Sequence, residues 1–172
     1  MAIGAEEAVV RKSVRVKAPI DRAFRVFTEQ METWWPATHH IGNVPFEAIF
    51  IEPRVGGRWY ERNKAGEIGE WGKVLGWDPP RRVAFSWHAG PGHDGPDWIC
   101  DPDPAKASQV EVRFTALGPQ MTLVELTHSK LERHGGDVEQ LRAMFDSPGA
   151  WEGILECFAR VVEPAAKEEK AE

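Results

Sequence analysis

The side chain best placed for chemistry is a histidine at the end of an apolar strand. In the run Met121–His128, Thr122, Val124, Leu126 and His128 share one face, and Leu123, Glu125 and Thr127 share the other. The first set suits a covered face, which aims His128 toward an overlying helix. An imidazole there can be a pocket hydrogen-bonding group or an acid or base. It can equally be a satisfied structural group tying strand to helix. His128 is the catalytic candidate, and no catalytic set follows from the pattern.

Other chemistry is poorly supplied. There is no Gly-x-Ser-x-Gly, and Cys157 falls mid-helix beside Phe158 with no activating partner. Cys100 and Cys157 read as free thiols. Gly90-Pro91-Gly92 is not followed by a helix, so no phosphate cradle is expected. Glu67 and Glu70 read as a wet strand edge. The stretch with His88, His93, Asp94, Asp97, Cys100, Asp101 and Asp103 is rich in metal-ligand types, and His39-His40 are adjacent. No His/Cys spacing there fits zinc, and the acidic loop lacks the EF-hand order. No metal and no cofactor is expected.

Aromatic residues supply a second candidate. Eight tryptophans stand against one tyrosine in 172 residues. Trp fills cores well and also lines pockets for flat ligands. The set expected to line an interior is Trp35, Phe50, Trp87, His128, Trp151 and Leu155. It is mostly apolar with one polar group, which suits a small apolar or aromatic molecule. The other reading is that these residues simply fill the core.

These residues need a frame. From Trp151 on, Trp151, Ile154, Leu155, Phe158, Val161 and Val162 fall on one helical stripe. Ser147 is expected to cap this closing helix, with Pro148 in its first turn. Before it, Asp137 can cap a shorter helix holding Val138, Leu141, Met144 and Phe145. Strands are expected at 9–17, 46–51, 57–62, 67–77, 82–88, 109–117 and 121–128. Lys12 interrupts the apolar face of the first strand, formed by Val10, Val14 and Val16. Arg11, Arg15 and Lys17 lie on its wet face. Strict alternation on the fourth strand groups Trp71 with Lys73, Leu75 and Trp77. Two short helices follow the first strand, one opening at Ala18-Pro19-Ile20-Asp21 and one ending at Pro36. Gly56-Gly57 suggests a bulge or a close backbone approach. The stretch 89–107 reads as a long irregular loop.

The order predicts an α+β fold: a curved, seven-stranded antiparallel sheet around a long C-terminal helix, with two short helices between strands 1 and 2. One domain over 8–165 is expected, with flexible ends at 1–7 and 166–172. A net charge of −6 disfavours a nucleic-acid partner. No run is long and apolar enough for a bilayer, and the N-terminus does not read as a signal peptide, so a cytoplasmic location is expected.

Several ordered motifs carry a resemblance. They are Val16-x-Ala-Pro-Ile-Asp-x-Ala-Phe24, Trp34-Trp35-Pro36, Pro53-x-Val-Gly-Gly-Arg-Trp59, the run Val74–Val83, Ser86-Trp87, Leu126-Thr127-His128-Ser129-x-Leu131 and Gly149-Ala150-Trp151. Together they resemble the helix-grip (SRPBCC) superfamily of START domains, birch-pollen-allergen-like proteins and polyketide cyclases. Within it the chain is most similar to single-domain bacterial relatives of the heat-shock-protein-90 ATPase activator C-terminal domain. The resemblance implies binding of a hydrophobic ligand in a cavity between sheet and helix. It also leaves open an enzyme with a hydrolytic or a cyclase/aromatase-like activity in the cavity, the latter working largely by holding a reactive chain in shape. A third implied role is a chaperone-directed interaction module in the stress response, with Trp34-Trp35 or the 89–107 loop as contact surface. A homodimer is left open.

Overall fold

The computed structural model describes residues 9–36, 46–91, 98–100, 103–134 and 137–163, with the backbone alone at 89–91 and 98–100. Both chain ends expected to be flexible lie outside the described residues, as do His39, His40, His93, Asp94, Asp97 and Asp101.

The elements run β1 (Val10–Val16), α1 (Ile20–Glu29), α2 (Met31–Trp34), β2 (Phe46–Ile51), β3 (Arg58–Asn63), β4 (Ile68–Asp78) and β5 (Arg82–Trp87). Then come β6 (Ala89–Pro91), β7 (Trp98–Cys100), β8 (Ser108–Gly118), β9 (Met121–Ser129), α3 (Val138–Phe145) and α4 (Gly153–Val162). The main sheet has seven strands in the order β1-β9-β8-β5-β4-β3-β2, every neighbouring pair antiparallel. The sheet is curled, and the fold is the α+β helix grip that the sequence predicts. The stretch expected to be one irregular loop carries a small hairpin, with Ala89 opposite Cys100.

The sheet is amphipathic because its strands alternate. On β9, Thr122, Val124, Leu126 and His128 are buried; on β5, Val83, Phe85 and Trp87 are buried. Lys12 does share the inner side of β1, at the rim, where its ammonium meets Asp146 at 2.9 Å just after α3. That pairing explains why a cation interrupts the apolar face. On β4 the expected alternation fails. Trp71 and Val74 are both buried, whereas Lys73 is exposed and Leu75 is 42 % exposed. The register shifts at Trp59/Tyr60 against β3 and again at Val74/Gly76 against β5, and each shift flips the side-chain parity. Gly72 permits the first irregularity, since a Cβ there would lie 1.8 Å from the Ser86 carbonyl oxygen. The expected close approach at Gly56-Gly57 is present too. Gly56 has φ +84°, and a Cβ on Gly57 would meet the Glu52 carbonyl at 2.6 Å.

The C-terminal helix packs against β1, α1 and α2. Ile154, Leu155, Phe158 and Val162 bury its stripe, and Val161 is half-buried. Its far end is held twice. Arg22 Nε donates to the Val162 carbonyl at 2.8 Å, and the Lys17 amide donates to the Glu163 carboxylate at 3.0 Å. A guanidinium at a helix C-terminus also meets the negative end of the dipole. At the near end the chain does not run straight into the helix from Trp151. Pro148–Glu152 forms a π turn with a kink at Ala150 (φ −92°, ψ −125°), and α4 starts at Gly153. Ser147 does not cap it as expected; its hydroxyl donates back to the Met144 carbonyl at 2.6 Å. Asp137 does cap α3, its carboxylate accepting from the Glu139 and Gln140 amides.

Candidate functional site

Five tryptophans from five separate segments converge between the sheet and the start of α4. Trp35 follows α2, Trp59 lies on β3, Trp71 on β4, Trp87 on β5 and Trp151 in the π turn. Trp35 sits at the centre, its ring centroid 6.0 Å from Trp59, 5.5 Å from Trp71, 6.4 Å from Trp87 and 6.0 Å from Trp151. Trp87 links the two ends, at 5.6 Å from Trp59, 5.2 Å from Trp71 and 5.2 Å from Trp151. All five are buried, as is Leu155 one turn beyond Trp151.

Of the six residues expected to line the interior, Trp35, Trp87, His128, Trp151 and Leu155 share the core on this side of the sheet. Phe50 does not. It is 37 % exposed on the outer face, stacked on Tyr60 at 5.1 Å with the Arg62 guanidinium above its ring. The register shift between Phe46 and Ala48 changes the parity of β2, and Ile49 takes the inner position instead. Trp34 and Trp35 are 3 % and 4 % exposed, so they cannot form the surface contact considered for a chaperone.

One end of the cluster is closed by a buried polar chain. Trp151 Nε1 donates to His128 Nδ1 at 3.0 Å. His128 Nε2 lies 2.7 Å from Ser108 Oγ, and Ser108 Oγ lies 2.7 Å from His134 Nε2. An indole can only donate, so Nδ1 of His128 accepts. The neutral imidazole then carries its proton on Nε2 and donates to Ser108. The hydroxyl proton of Ser108 is thereby free to reach His134, with the Trp87 carbonyl, at 3.5 Å, as its other acceptor. Burial holds the His128 pKa well below its ordinary 6.5, and the neighbouring His134 acts in the same direction. Both ring nitrogens of His128 are therefore engaged, and the group is kept neutral. Packing of Phe145 at 4.6 Å and Trp87 at 5.4 Å completes its surroundings.

The other end holds Glu61 and Trp71. Trp71 Nε1 donates to Glu61 Oε1 at 2.8 Å, and Trp59 stacks on Trp71 at 5.7 Å. On the face of β5 opposite Phe85 and Trp87, His88 Nε2 bonds Ser86 Oγ at 2.8 Å, and Ser86 Oγ accepts from the Lys73 amide at 2.9 Å.

Sequence reasoning did not single out Ser108, His134, Trp59, Trp71 or Glu61. A signal for Ser108 exists, because it continues the buried face of Val110, Val112 and Phe114 by one step of two. His134 comes from the 3₁₀ turn Leu131–His134 and carries no such periodic signal. Among the described residues, no group of three His, Cys, Asp or Glu side chains could hold a metal ion. No helix there is long and apolar enough to cross a membrane.

Solved proteins share this fold. An anthrahydroquino-γ-pyrone synthase, Txn09, solved as a complex with SUM, is 41% identical, with 89% of this chain and 96% of that chain covered and a TM-score of 0.62. CalC from Micromonospora echinospora, a self-sacrificing resistance protein, is 28% identical over 90% of this chain and 93% of its own, with a TM-score of 0.62. The Aha1 dimer from Colwellia psychrerythraea is 16% identical over 90% and 96%, and its TM-score of 0.58 shows a shared fold. No curated protein matches the chain in sequence. The profile of one family spans residues 17–163. The chain belongs to that family, the Activator of Hsp90 ATPase homolog 1-like proteins.

Proposed function

We propose that this protein binds a flat, largely apolar aromatic molecule between its sheet and its C-terminal helix, against the tryptophan cluster. The observation that carries the reading is the convergence of Trp35, Trp59, Trp71, Trp87 and Trp151. A core that only needs filling is made more simply from Leu, Ile and Val, which bring no polar atom inside. Each buried indole brings an N–H that must be satisfied. Five of them together present broad ring faces and a few directed donors, the pattern of a site for a flat ligand. The 41% identity to a synthase whose name contains an anthrahydroquinone skeleton supports a polycyclic aromatic class.

The test is a titration with 2-methoxyanthraquinone, read by tryptophan fluorescence and checked by calorimetry. Saturable binding at one molecule per chain is expected, weakened by Trp87→Leu. No saturable binding would overturn the reading.

The same relative favours a second reading, ring closure of a bound aromatic precursor. The fold would contribute by holding a flexible side chain against its ring acceptor. His128 would act there through the position of Trp151, since both its nitrogens are engaged. Incubation with an anthraquinone bearing an open unsaturated-ketone side chain next to a phenol tests it. A rate equal to that in buffer would remove the enzyme reading and leave binding intact.

A further inference from the structure

Every tryptophan of the cluster is buried, so a ligand that lies against these rings must displace something that covers them. The helices around the cluster are held to very different degrees. α1 buries Ala23, Phe24, Val26, Phe27 and Thr28, and α4 buries Ile154, Leu155, Phe158 and Val162. α3 buries Phe145 alone. Val138, Leu141 and Met144 of the same helix are only half-buried. α3 packs on the turns that flank it, Leu131–His134 and Pro148–Glu152. Segments with few buried apolar contacts open locally at a lower free energy than the core does.

Phe145 stands directly on the site. Its ring lies 5.8 Å from Trp87 and 4.6 Å from His128. The next residue, Asp146, makes the ion pair with Lys12 at the rim of the sheet. The two side chains are 46 % and 22 % exposed, so water replaces the pair at little cost. Beyond Asp146 the helical path breaks. Ala150 is non-helical, and nothing lies within 4 Å of a Cβ placed on Gly149. Backbone at such a break can absorb a rotation that a continuous helix cannot. Trp151, with its bond to His128, lies on the α4 side of the break. α3 can therefore move while the joint between Trp151 and His128 stays closed.

We propose that α3 is the lid of the tryptophan cluster. It swings about the break at Gly149 and Ala150, with Phe145 as its plug and the Lys12–Asp146 pair as its latch, and a flat apolar ligand enters through the gap it leaves. This rests on the binding reading above and adds the route into that site. Opening breaks one half-exposed ion pair and withdraws one buried ring, whereas moving α1 or α4 exposes at least four buried side chains. The latch holds the lid alike with and without a ligand inside. Weakening it therefore speeds entry and exit together and leaves affinity alone.

The test follows 2-methoxyanthraquinone binding by stopped-flow tryptophan fluorescence, together with amide hydrogen exchange of the protein alone. Lys12→Met and Asp146→Asn are each expected to raise the association and dissociation rates alike, by about two- to fivefold, with Kd unchanged. Added sodium chloride should raise both wild-type rates in the same way and leave those of Asp146→Asn flat; the ligand carries no charge, so steering plays no part. Glu47→Gln, which breaks the exposed Glu47–Arg62 pair of β2 and β3, is the control and should keep wild-type rates. In hydrogen exchange, the amides of Leu141 and Asp146, bonded to the Asp137 and Arg142 carbonyls, are expected to exchange about a hundredfold faster or more than those of α4, and faster again in Asp146→Asn. α3 amides as protected as those of α4, latch variants with wild-type rates, or an effect on the dissociation rate alone overturns this inference and leaves the binding reading standing. Absence of saturable binding to the wild type overturns the binding reading, and the entry route with it.

Discussion

Trp151 Nε1 and His128 Nδ1 meet at 3.0 Å, and this one bond sets the proton positions of a whole buried chain. It joins the kinked turn before α4 to the last strand of the sheet. With Nδ1 accepting, Nε2 must donate to Ser108, and Ser108 becomes the relay to His134. The imidazole is thus a strut between the sheet and the helix that covers it.

Removing the strut should be costly. His128→Ala leaves the Trp151 donor and the Ser108 hydroxyl short of a partner and opens a void beside Phe145 and Trp87. A loss of about 3 kcal/mol is expected, combining cavity and unpaired-donor costs. Urea unfolding followed by far-UV circular dichroism measures it. A change below about 0.5 kcal/mol, the scale of an ordinary surface substitution, would show that the chain bears no structural weight.

Acid should weaken the fold through the same residue. In the unfolded chain His128 takes up a proton near its ordinary 6.5, whereas burial keeps it neutral in the folded protein well below that. Between those two values the unfolded state binds more protons. The contribution of His128 is therefore complete above about pH 6.5 and declines as pH falls below it, by at most about 1.4 kcal/mol per pH unit. Urea midpoints for wild type and His128→Gln at a series of pH values check this. The variant should show the shallower decline, and equal slopes would contradict the assignment.

Gly72 should tolerate no side chain. A Cβ at that position falls 1.8 Å from the Ser86 carbonyl oxygen, a backbone atom that cannot swing away. Gly72→Ala is expected to cost about 3 kcal/mol or more, or to prevent folding, because β4 and β5 must separate. Gly149→Ala, where nothing lies within 4 Å, is the control and should keep its thermal midpoint.

The cap of α3 is a smaller and cleaner test. Asp137→Ala removes the acceptor for the Glu139 and Gln140 amides. About 1 kcal/mol should be lost, and Asp137→Asn or Asp137→Ser should recover most of it. Thermal melts of the three variants decide the matter.

Where the two-residue period runs undisturbed, the sequence is a reliable guide. Thr122, Val124, Leu126 and His128 are legible as an inner face, and so are Val83, Phe85 and Trp87. The helical stripe Ile154, Leu155, Phe158 and Val162 is legible for the same reason. The period misleads wherever a register shift intervenes. On β2 it promotes Phe50 over Ile49, and on β4 it places Lys73 and Leu75 beside Trp71. No local residue pattern announces those shifts; they come from pairing with a neighbouring strand. Alternation on β3 puts Glu61 on the face opposite Arg58 and Tyr60, with nothing in the sequence to mark that face as the inner one. It passes as unremarkable until the structure reveals that a carboxylate is fully enclosed there. Ser108 and His134 become partners of His128 only through tertiary contact.

The place of β1 in the sheet also governs how the chain must assemble. Val14 of the first strand lies opposite Val124 of the last, and β1 sits at the sheet edge with β9 as its neighbour. During synthesis, β1 emerges early and must wait for β9, nearly the whole domain later, before it can pair. Closing so long a loop is a slow step in a largely β fold. Until then Val10, Val14 and Val16 form an unpaired apolar strand, the kind of segment that seeds association between nascent chains. The Lys12 ammonium set among those valines places a charge on the waiting strand, and only later does it find Asp146.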